Sequence, residues 1–193
     1  ARLLERETVL SVDVVRAAVP TSVVDTVVAR LATVGEDERG LAQAVAILET
    51  ASTLTAGDLA RLELDRASLA ADRLRAAGLL SEEPVLKFRH ALLRSAVHAA
   101  TPPGQRDQLH RAAARLLSAD THAASAQLIA AHGVGDPWAV DLLRRAAALA
   151  LDEGAPQSAV VLLRRARAEP PDDDRLPVVL LDLGLAEMRS TDP

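Results

Sequence analysis

The last third of the chain contains two helical patterns of similar length that are joined by a short turn. The first pattern starts at Trp138, the turn lies at residues 154–156, and two prolines at residues 170–171 follow the second pattern. Gly commonly ends helices, and Pro is tolerated in a first helical turn. A helical pair of about 34 residues cannot bury its apolar face alone and needs neighbouring helices. We therefore expect the chain to fold as stacked helices.

Small and branched apolar residues lie where such a pair needs close packing. Ala147 lies on the first helix, and Ala159, Leu163 and Ala166 recur on the second at spacings of four and three. This series resembles the pattern of tetratricopeptide repeats, with Leu163 in the place of an aromatic residue. A third apolar helix at residues 176–190 would begin another repeat. Because the sequence ends before the second helix of that repeat, we expect an apolar edge that a neighbouring repeat or an oligomer partner covers.

The composition favours the same class of fold. Hydrophobic residues make up 49% of the chain and aromatic residues only 1%, so Leu, Val and Ala must form the core. Ala and Leu are strong helix formers. The absence of Cys excludes disulfides and thiolate metal sites. With no apolar run of about 18 residues and no signal-peptide pattern, we expect a cytoplasmic chain without membrane contact.

Residues 36–90 predict three helices followed by a β-hairpin. A helix is predicted for residues 36–49, a short one starts at Thr55 or Asp58, and a third covers residues 65–78. Apolar residues on both sides of the polar turn at residues 81–84 predict two short strands. This order of elements is typical of a winged helix, and Phe88 is expected to fill its core.

The middle of the chain returns to helical spacing. A helix at residues 90–100 ends at the Thr101–Pro103 break, and a helix at residues 104–117 is expected to bury Leu109, Ala112 or Ala113, and Leu116. A short helix at residues 123–132 follows. We thus predict a mainly α protein, in which a winged-helix domain with a small β-hairpin precedes tetratricopeptide-like helices. The predicted domains are residues 1–19 (a tail or linker), 20–100 (winged helix, with a first helix before Gly35) and 101–193 (truncated repeats).

No pattern for catalysis or metal binding stands out. The chain contains neither a phosphate loop nor a Gly-x-Ser-x-Gly nucleophile motif. His90 and His98 are eight residues apart, with the cation Arg94 on the same helical face, which opposes a metal site. We expect no catalytic residue, no metal and no enzyme activity in this chain.

The predicted third helix would read DNA if the winged helix bound a duplex. Its charged residues are Asp65, Arg66, Asp72, Arg73 and Arg75, and the hairpin turn adds Glu82 and Glu83. Phosphate contacts dominate affinity for DNA, and carboxylates repel the phosphates. With a net charge of −5, the chain is expected to bind a protein or its own neighbouring domain instead.

Residues 74–187 resemble the middle of the large ATP-binding regulators of the LuxR family, within the class of multidomain signal-transduction ATPases. The similar segments are "LRAAGLL", "LKFRHALLRSAVHAATPPGQRDQLHRAAARLL", "DPWAVDLLRRAAALALDEGAPQSAVVLLRRARAEPP" and "LLDLGLAEM". The resemblance implies an ATPase core and lid upstream, with residues 1–19 as the tail of the lid, and a DNA-binding helix-turn-helix downstream. ATP or ADP would bind the parent protein and no cofactor would bind this fragment, whose partner would be its own ATPase domain.

The resemblance also implies a role for one histidine. In related signalling ATPases a histidine at the end of the winged helix contacts the β-phosphate of the nucleotide, and His90 in "FRH" matches that position. Arg89 beside it would strengthen anion binding, because it and His90 can both donate to a phosphate. The other interpretation is that His90 only caps its helix or packs.

Three functions remain open from the sequence. The first is a regulatory interdomain and sensor segment of an ATP-dependent bacterial transcription regulator. The second is a free-standing winged-helix DNA-binding regulator with a helical dimerisation domain. The third is a helical protein-interaction adaptor.

Overall fold

The computed structural model of the chain is mainly helical. It describes residue 29, residues 34–169 and residues 172–191, so the predictions for residues 1–19 and for the helix before Gly35 lie outside the described residues. The elements are α1 (Glu36–Leu48), β1 (Thr50–Ala51), α2 (Thr53–Ala60), α3 (Leu64–Ala76), β2 (Leu86–Lys87), α4 (Ala91–Ala100), α5 (Pro103–Leu116), α6 (Thr121–Ala130), α7 (Pro137–Asp152), α8 (Pro156–Arg167) and α9 (Leu176–Thr191). No helix among them is long and apolar enough to cross a membrane.

The chain divides into two compact units, of which the first ends at Pro103 and the second begins at Gly104. In the first unit, α1 packs against α2, α3 and α4. Leu41 and Val45 of α1 are fully buried, together with Leu74 of α3 and Leu86 of β2. Phe88 is 8% exposed and belongs to the same core, as predicted.

A small antiparallel sheet closes one side of the first unit. β1 pairs with β2, with Thr50 opposite Lys87. An isolated bridge joins Leu80 to Phe88, and the N–H of Ser81 donates to the carbonyl of Lys87 at 3.0 Å. The predicted hairpin around residues 81–84 is therefore present, although its first arm is a single bridge residue. The sequence did not predict β1, because two residues are too short to show an alternating pattern.

Side-chain capping shifts the start of α2 relative to the prediction. The sequence placed this start at Thr55 or Asp58, whereas α2 begins at Thr53. Ser52 is the N-cap residue, and its hydroxyl accepts a hydrogen bond from the N–H of Thr55 at 3.0 Å. Because an N-cap side chain accepts from the N–H three residues later, the hydrogen bond from Thr55 places the start of α2 directly after Ser52.

In the second unit, α8 packs against both α7 and α9. The turn between α7 and α8 contains Gly154, which has a positive φ of 74° that suits Gly, and α8 starts at Pro156. Two helices therefore flank the predicted turn. The predicted packing positions are buried, namely Ala147, Ala159, Leu163 and Ala166.

The prediction for the buried face of α5 is confirmed at Ala113, but Leu109 is only half-buried and the prediction was wrong at Leu116. Leu116 is 39% exposed, whereas His110, Ala113 and Ala114 are buried. His110 can be buried because its Nδ1 lies 2.7 Å from Oε1 of Gln127 on α6. Ala114 joins the core cluster of the second unit, so small residues and a hydrogen-bonded ring form the inner face.

A buried ion pair fastens the segment between α6 and α7 to the end of α8. Nη1 of Arg165 lies 2.7 Å from Oε2 of Glu169, which is 1% exposed. Oε1 of Glu169 accepts from the N–H groups of Val134 and Asp136, each at 3.0 Å. The Arg165 Nε–H donates to the carbonyls of Leu128 and Ala131. These contacts fix the position of residues 131–136, which lead into α7.

Candidate functional site

Arg89 and His90 lie on the surface between the hairpin and α4. The N–H of Arg89 donates to the carbonyl of Leu79 at 3.0 Å, and the carbonyl of His90 accepts from the N–H of Leu93 at 3.0 Å. Both side chains are exposed. Within the described part of the chain neither makes a hydrogen bond or an ion pair. The backbone therefore holds the two residues in place while their side chains stay accessible.

The structure bears on the other interpretation of His90, that it only caps its helix or packs. His90 is the N-cap residue of α4, but its side chain makes no capping hydrogen bond. Its ring is exposed and thus does not pack in the core. A side chain with this placement is available to a ligand or to another domain.

The histidines do not converge on a metal site. Between His90 and His98, Arg94 pairs with Glu49 at 2.6 Å. Nδ1 of His132 lies 2.9 Å from Asp107. Burial raises the pKa of Asp107, but the side chain and backbone N–H of His132 and the charge of Arg111 together lower it more, so the pKa lies below its ordinary value. Among the residues that the structure describes, no group of three or more His, Asp or Glu side chains could hold a metal ion.

The arginines of α3 are engaged by acceptors of their own unit. The Arg66 guanidinium binds both carboxylate oxygens of Asp37 on α1, at 2.9 and 2.6 Å. Arg73 pairs with Glu38, also on α1, at 2.7 Å. Arg75 pairs with Asp72 at 3.1 Å and donates to the carbonyl of Ser81. These contacts link α3 to α1 and to the hairpin, and they give each of the three guanidinium groups a carboxylate partner, while the side chains of Arg66 and Arg73 stay 61% exposed.

Glu38 is the buried member of this arrangement, with an exposure of 2%. Its hydrogen bond with Arg73 is the main reason why the pKa of Glu38 is lowered, and its own backbone N–H lowers that pKa further. Gly35, the N-cap residue of α1, leaves room for this side chain, because a Cβ at Gly35 would lie 2.3 Å from Oε2 of Glu38. The carboxylate therefore stays ionised and keeps Arg73 turned toward α1.

The remaining surface of α3 and the hairpin is acidic or apolar. Asp65, Leu69 and Asp72 are exposed on α3, and Leu69 has an exposure of 52%. Glu82 and Glu83 are exposed in the hairpin turn, where Glu83 pairs with Lys87 at 2.7 Å. Such a surface repels phosphates and suits a protein partner.

The second unit contains a groove between α7 and α9, with a volume of about 420 Å³. Its apolar floor consists of Ala147, Ala148, Leu151, Leu163 and Leu185, and its charged lining consists of Asp141, Arg144, Arg145, Asp182 and Arg189. A volume in this range is typical of ligand pockets, which combine an apolar surface with a few polar groups.

The charged residues of the groove fall into two groups. Arg144 pairs with Asp182 at 2.8 Å, and Asp141 pairs with Arg175 at 3.2 Å, so α7 is tied to α9. Arg145 and Arg189 are exposed, and neither has an ion pair or hydrogen bond with any residue in the described ranges. The groove thus offers two guanidinium groups beside an apolar floor.

The sequence patterns did not predict this groove. A signal was present, since Arg144, Ala148 and Leu151 recur on one face of α7, and Asp182, Leu185 and Arg189 recur on one face of α9. Only the packing of α7 beside α9 brings the two faces together.

No protein-family model, curated protein or solved structure matches the chain.

Proposed function

We propose that this chain is the interdomain and sensor segment of an ATP-dependent bacterial transcription regulator. The first unit acts as a winged helix that contacts the ATPase domain of the same protein. The second unit is a tetratricopeptide-like segment that binds a ligand or a partner. Nucleotide exchange in the ATPase domain reorients the winged helix, and the helical segment responds to the bound partner.

The order of elements supports the winged-helix part of the proposal. Residues 36–88 run helix, strand, helix, helix and hairpin, and the last strand pairs with the strand that follows the first helix. The helical pair around Gly154 and the third helix beside it support the repeat part. The resemblance to ATP-dependent regulators supplies the order of the flanking domains.

One observation favours a winged helix that binds protein over one that binds DNA. Arg66, Arg73 and Arg75 are all paired with carboxylates of the first unit. Releasing an arginine to a phosphate would break its existing pair, and the buried Glu38 would lose its counter-ion. Contact with another protein domain requires no such exchange.

The exposed His90 and Arg89 give the proposal its first test. In the parent regulator, His90→Ala and Arg89→Ala should each weaken ADP retention about tenfold or more, because each removes a donor to a charged phosphate. Nucleotide dissociation measured with fluorescent ADP gives this quantity. Arg61→Ala changes another exposed arginine, in the turn between α2 and α3, and should leave dissociation unchanged.

Two results would contradict the proposal. One is a coding sequence that carries neither a phosphate loop upstream nor a helix-turn-helix downstream of this segment. The other is ADP dissociation that is the same in the His90, Arg89 and Arg61 variants.

The adaptor function is the second candidate, and the groove between α7 and α9 favours it. An adaptor would need only the helical unit and its partner. The two candidates differ in the role of the first unit, since an adaptor does not require His90 or a nucleotide.

A further inference from the structure

We infer that the groove between α7 and α9 binds an acidic amphipathic helix of a partner protein. The carboxylates of that helix would pair with Arg145 and Arg189, and its apolar side chains would cover the floor of the groove. This inference rests on the proposed function in one respect, namely that the second unit is the partner-binding part of the chain.

The charge of the groove determines the charge of the occupant. Arg144 is paired with Asp182, and Arg175 is shared by Asp141 and Asp172. Arg145 and Arg189 remain, each without an intramolecular counter-ion in the described part of the chain. The charged lining, three arginines and two aspartates, has a net positive charge, and the two arginines without a counter-ion are complementary to carboxylates of an occupant.

The positions of the two arginines determine the spacing of the occupant's charges. The pairs Asp141–Arg175 and Arg144–Asp182 join the helices in the same chain order, so α7 and α9 run in the same general direction. Arg189 is seven residues beyond Asp182, which is a rise of roughly 10 Å, whereas Arg145 directly follows Arg144. The backbone positions of Arg145 and Arg189 are thus about 9 Å apart along the helix axes, close to two helical turns. In an amphipathic helix, carboxylates at positions i and i+7 have a similar spacing.

The floor determines the apolar part of the occupant. Ala148 and Leu151 of α7 and Leu185 of α9 line the groove together with the two arginines. Leu185 is 47% exposed, so an occupant would remove further apolar surface from water. Leucines at positions i+3 and i+4 of an acidic helix would lie on this floor, between the two carboxylates. A small anion would engage one arginine and leave the floor uncovered.

The test uses a labelled synthetic helix of about four turns, built on alanine and glutamine, with glutamates at i and i+7 and leucines at i+3 and i+4. Fluorescence anisotropy measures its binding to the whole chain. We expect Arg145→Gln and Arg189→Gln each to weaken binding about fivefold, the effect of one exposed ion pair. Arg167→Gln, an exposed arginine of α8 outside the groove, should leave binding unchanged. Thermal unfolding should be the same for all variants, because these arginines have no intramolecular partners in the described residues.

Matched peptides identify the interactions. Replacing both glutamates by glutamine should weaken binding more than tenfold, and replacing both leucines by alanine should weaken it as well. Raising the salt from about 0.15 M to about 1 M should reduce the affinity of the acidic peptide, because the screening length falls from about 8 to about 3 Å.

Three outcomes would overturn the inference: no saturable binding of the acidic peptide, equal binding of its glutamine version, or equal binding by the Arg145, Arg189 and Arg167 variants. These outcomes are separate from the ADP experiment. If His90 and Arg89 control ADP retention while the peptide does not bind, this inference fails and the proposed function stands. Peptide binding without an effect of His90 or Arg89 supports the inference within an adaptor instead.

Discussion

Glu169 illustrates how one buried carboxylate determines the local structure. Burial raises its pKa, but the N–H groups of Val134 and Asp136 and the Arg165 guanidinium lower it more, so the pKa lies below the ordinary value of 4.5. Arg165 in turn binds the carbonyls at the end of α6. Nη1 and Nη2 of Arg165 and Oε2 of Glu169 are buried without a hydrogen bond, so the stability of the network depends on the attraction between the two opposite charges.

We predict that Glu169→Gln destabilises the fold by about 3 kcal/mol, because it leaves the charge of Arg165 uncompensated in a nearly buried position. Urea unfolding followed by circular dichroism measures the change. Glu153→Gln is the control, since Glu153 is 56% exposed and pairs with His122 at 3.3 Å on the surface. The control should change the free energy of unfolding by less than about 0.5 kcal/mol.

The lowered pKa of Glu169 also predicts a pH dependence. Above pH 4.5 the carboxyl is ionised in both the folded and the unfolded chain, and its full stabilisation is present. As the pH falls below this value, the unfolded chain binds the proton first and the stabilisation is lost. The difference in stability between the natural chain and Glu169→Gln should therefore shrink below pH 4.5. A difference that is constant down to pH 3 would contradict this account.

Two glycines should respond in opposite ways to alanine. A Cβ at Gly133 would lie 2.3 Å from the carbonyl oxygen of Ala168 and 2.9 Å from Cα of Glu169, so backbone atoms would have to move. Gly133→Ala should destabilise the chain by about 2 kcal/mol. Gly184 lies on the exposed face of α9 with nothing near its Cβ position, and Gly184→Ala should stabilise the chain by about 1 kcal/mol. Thermal and urea unfolding distinguish the two signs.

At the scale of the elements, short helices depend on the residues at their ends. α2 has eight residues, and the side chain of Ser52 satisfies one of its free N–H groups. Asp120 and Asp136 cap α6 and α7 in the same way. An isolated helix of this length is not stable in water, so a cap and tertiary contacts must together supply its stability.

Ser52→Ala should lower the free energy of unfolding by about 1 kcal/mol, because the N–H of Thr55 loses its acceptor. The matched control is Ser68→Ala in α3. Ser68 bonds back to the carbonyl of Leu64 at 2.8 Å, and such a bond inside a helix adds little stability. The control should be neutral or slightly stabilising, since Ala is the better helix former. Equal losses in the two variants would contradict the capping role of Ser52.

At the scale of the whole molecule, charge governs the choice of partner. The chain has a net charge of −5. The arginines of α3 pair with nearby carboxylates, whereas two arginines of the second unit line a groove and have no counter-ion within the described ranges. Arg145 and Arg189 therefore add two unpaired positive charges to the groove between α7 and α9, whereas the other exposed arginines without a partner in the described residues, such as Arg61, Arg89 and Arg167, lie elsewhere on the surface.

The chain should not bind duplex DNA with useful affinity. We expect dissociation constants no tighter than the range of about 10⁻⁴ to 10⁻⁶ M that is typical of non-specific binding at physiological salt. Arg66→Gln should change this value less than twofold, because Arg66 is already paired with Asp37. Anisotropy of a labelled duplex measures the affinity. Tight binding that weakens on this substitution and falls steeply with salt would favour the DNA-binding alternative.

The sequence alone determined most of the local structure. The apolar spacing on α8 and the Gly–Pro turn predicted the buried Ala159, Leu163 and Ala166. Turn residues and flanking apolar residues predicted the hairpin, and Phe88 is in the core as expected. These features depend on residues that are only a few positions apart, so the spacing of apolar and turn residues in the sequence is enough to predict them.

The tertiary structure alone decided which charges are satisfied. Arg66 and Asp37 are 29 residues apart, and Arg144 and Asp182 are 38 residues apart. No local period relates such positions, so the sequence could not show that α3 lacks free cations or that Arg145 and Arg189 have no partner among the described residues. The sequence could not show the burial of His110 or the pairing of β1 with β2 either, because each depends on a distant segment that folding brings into contact.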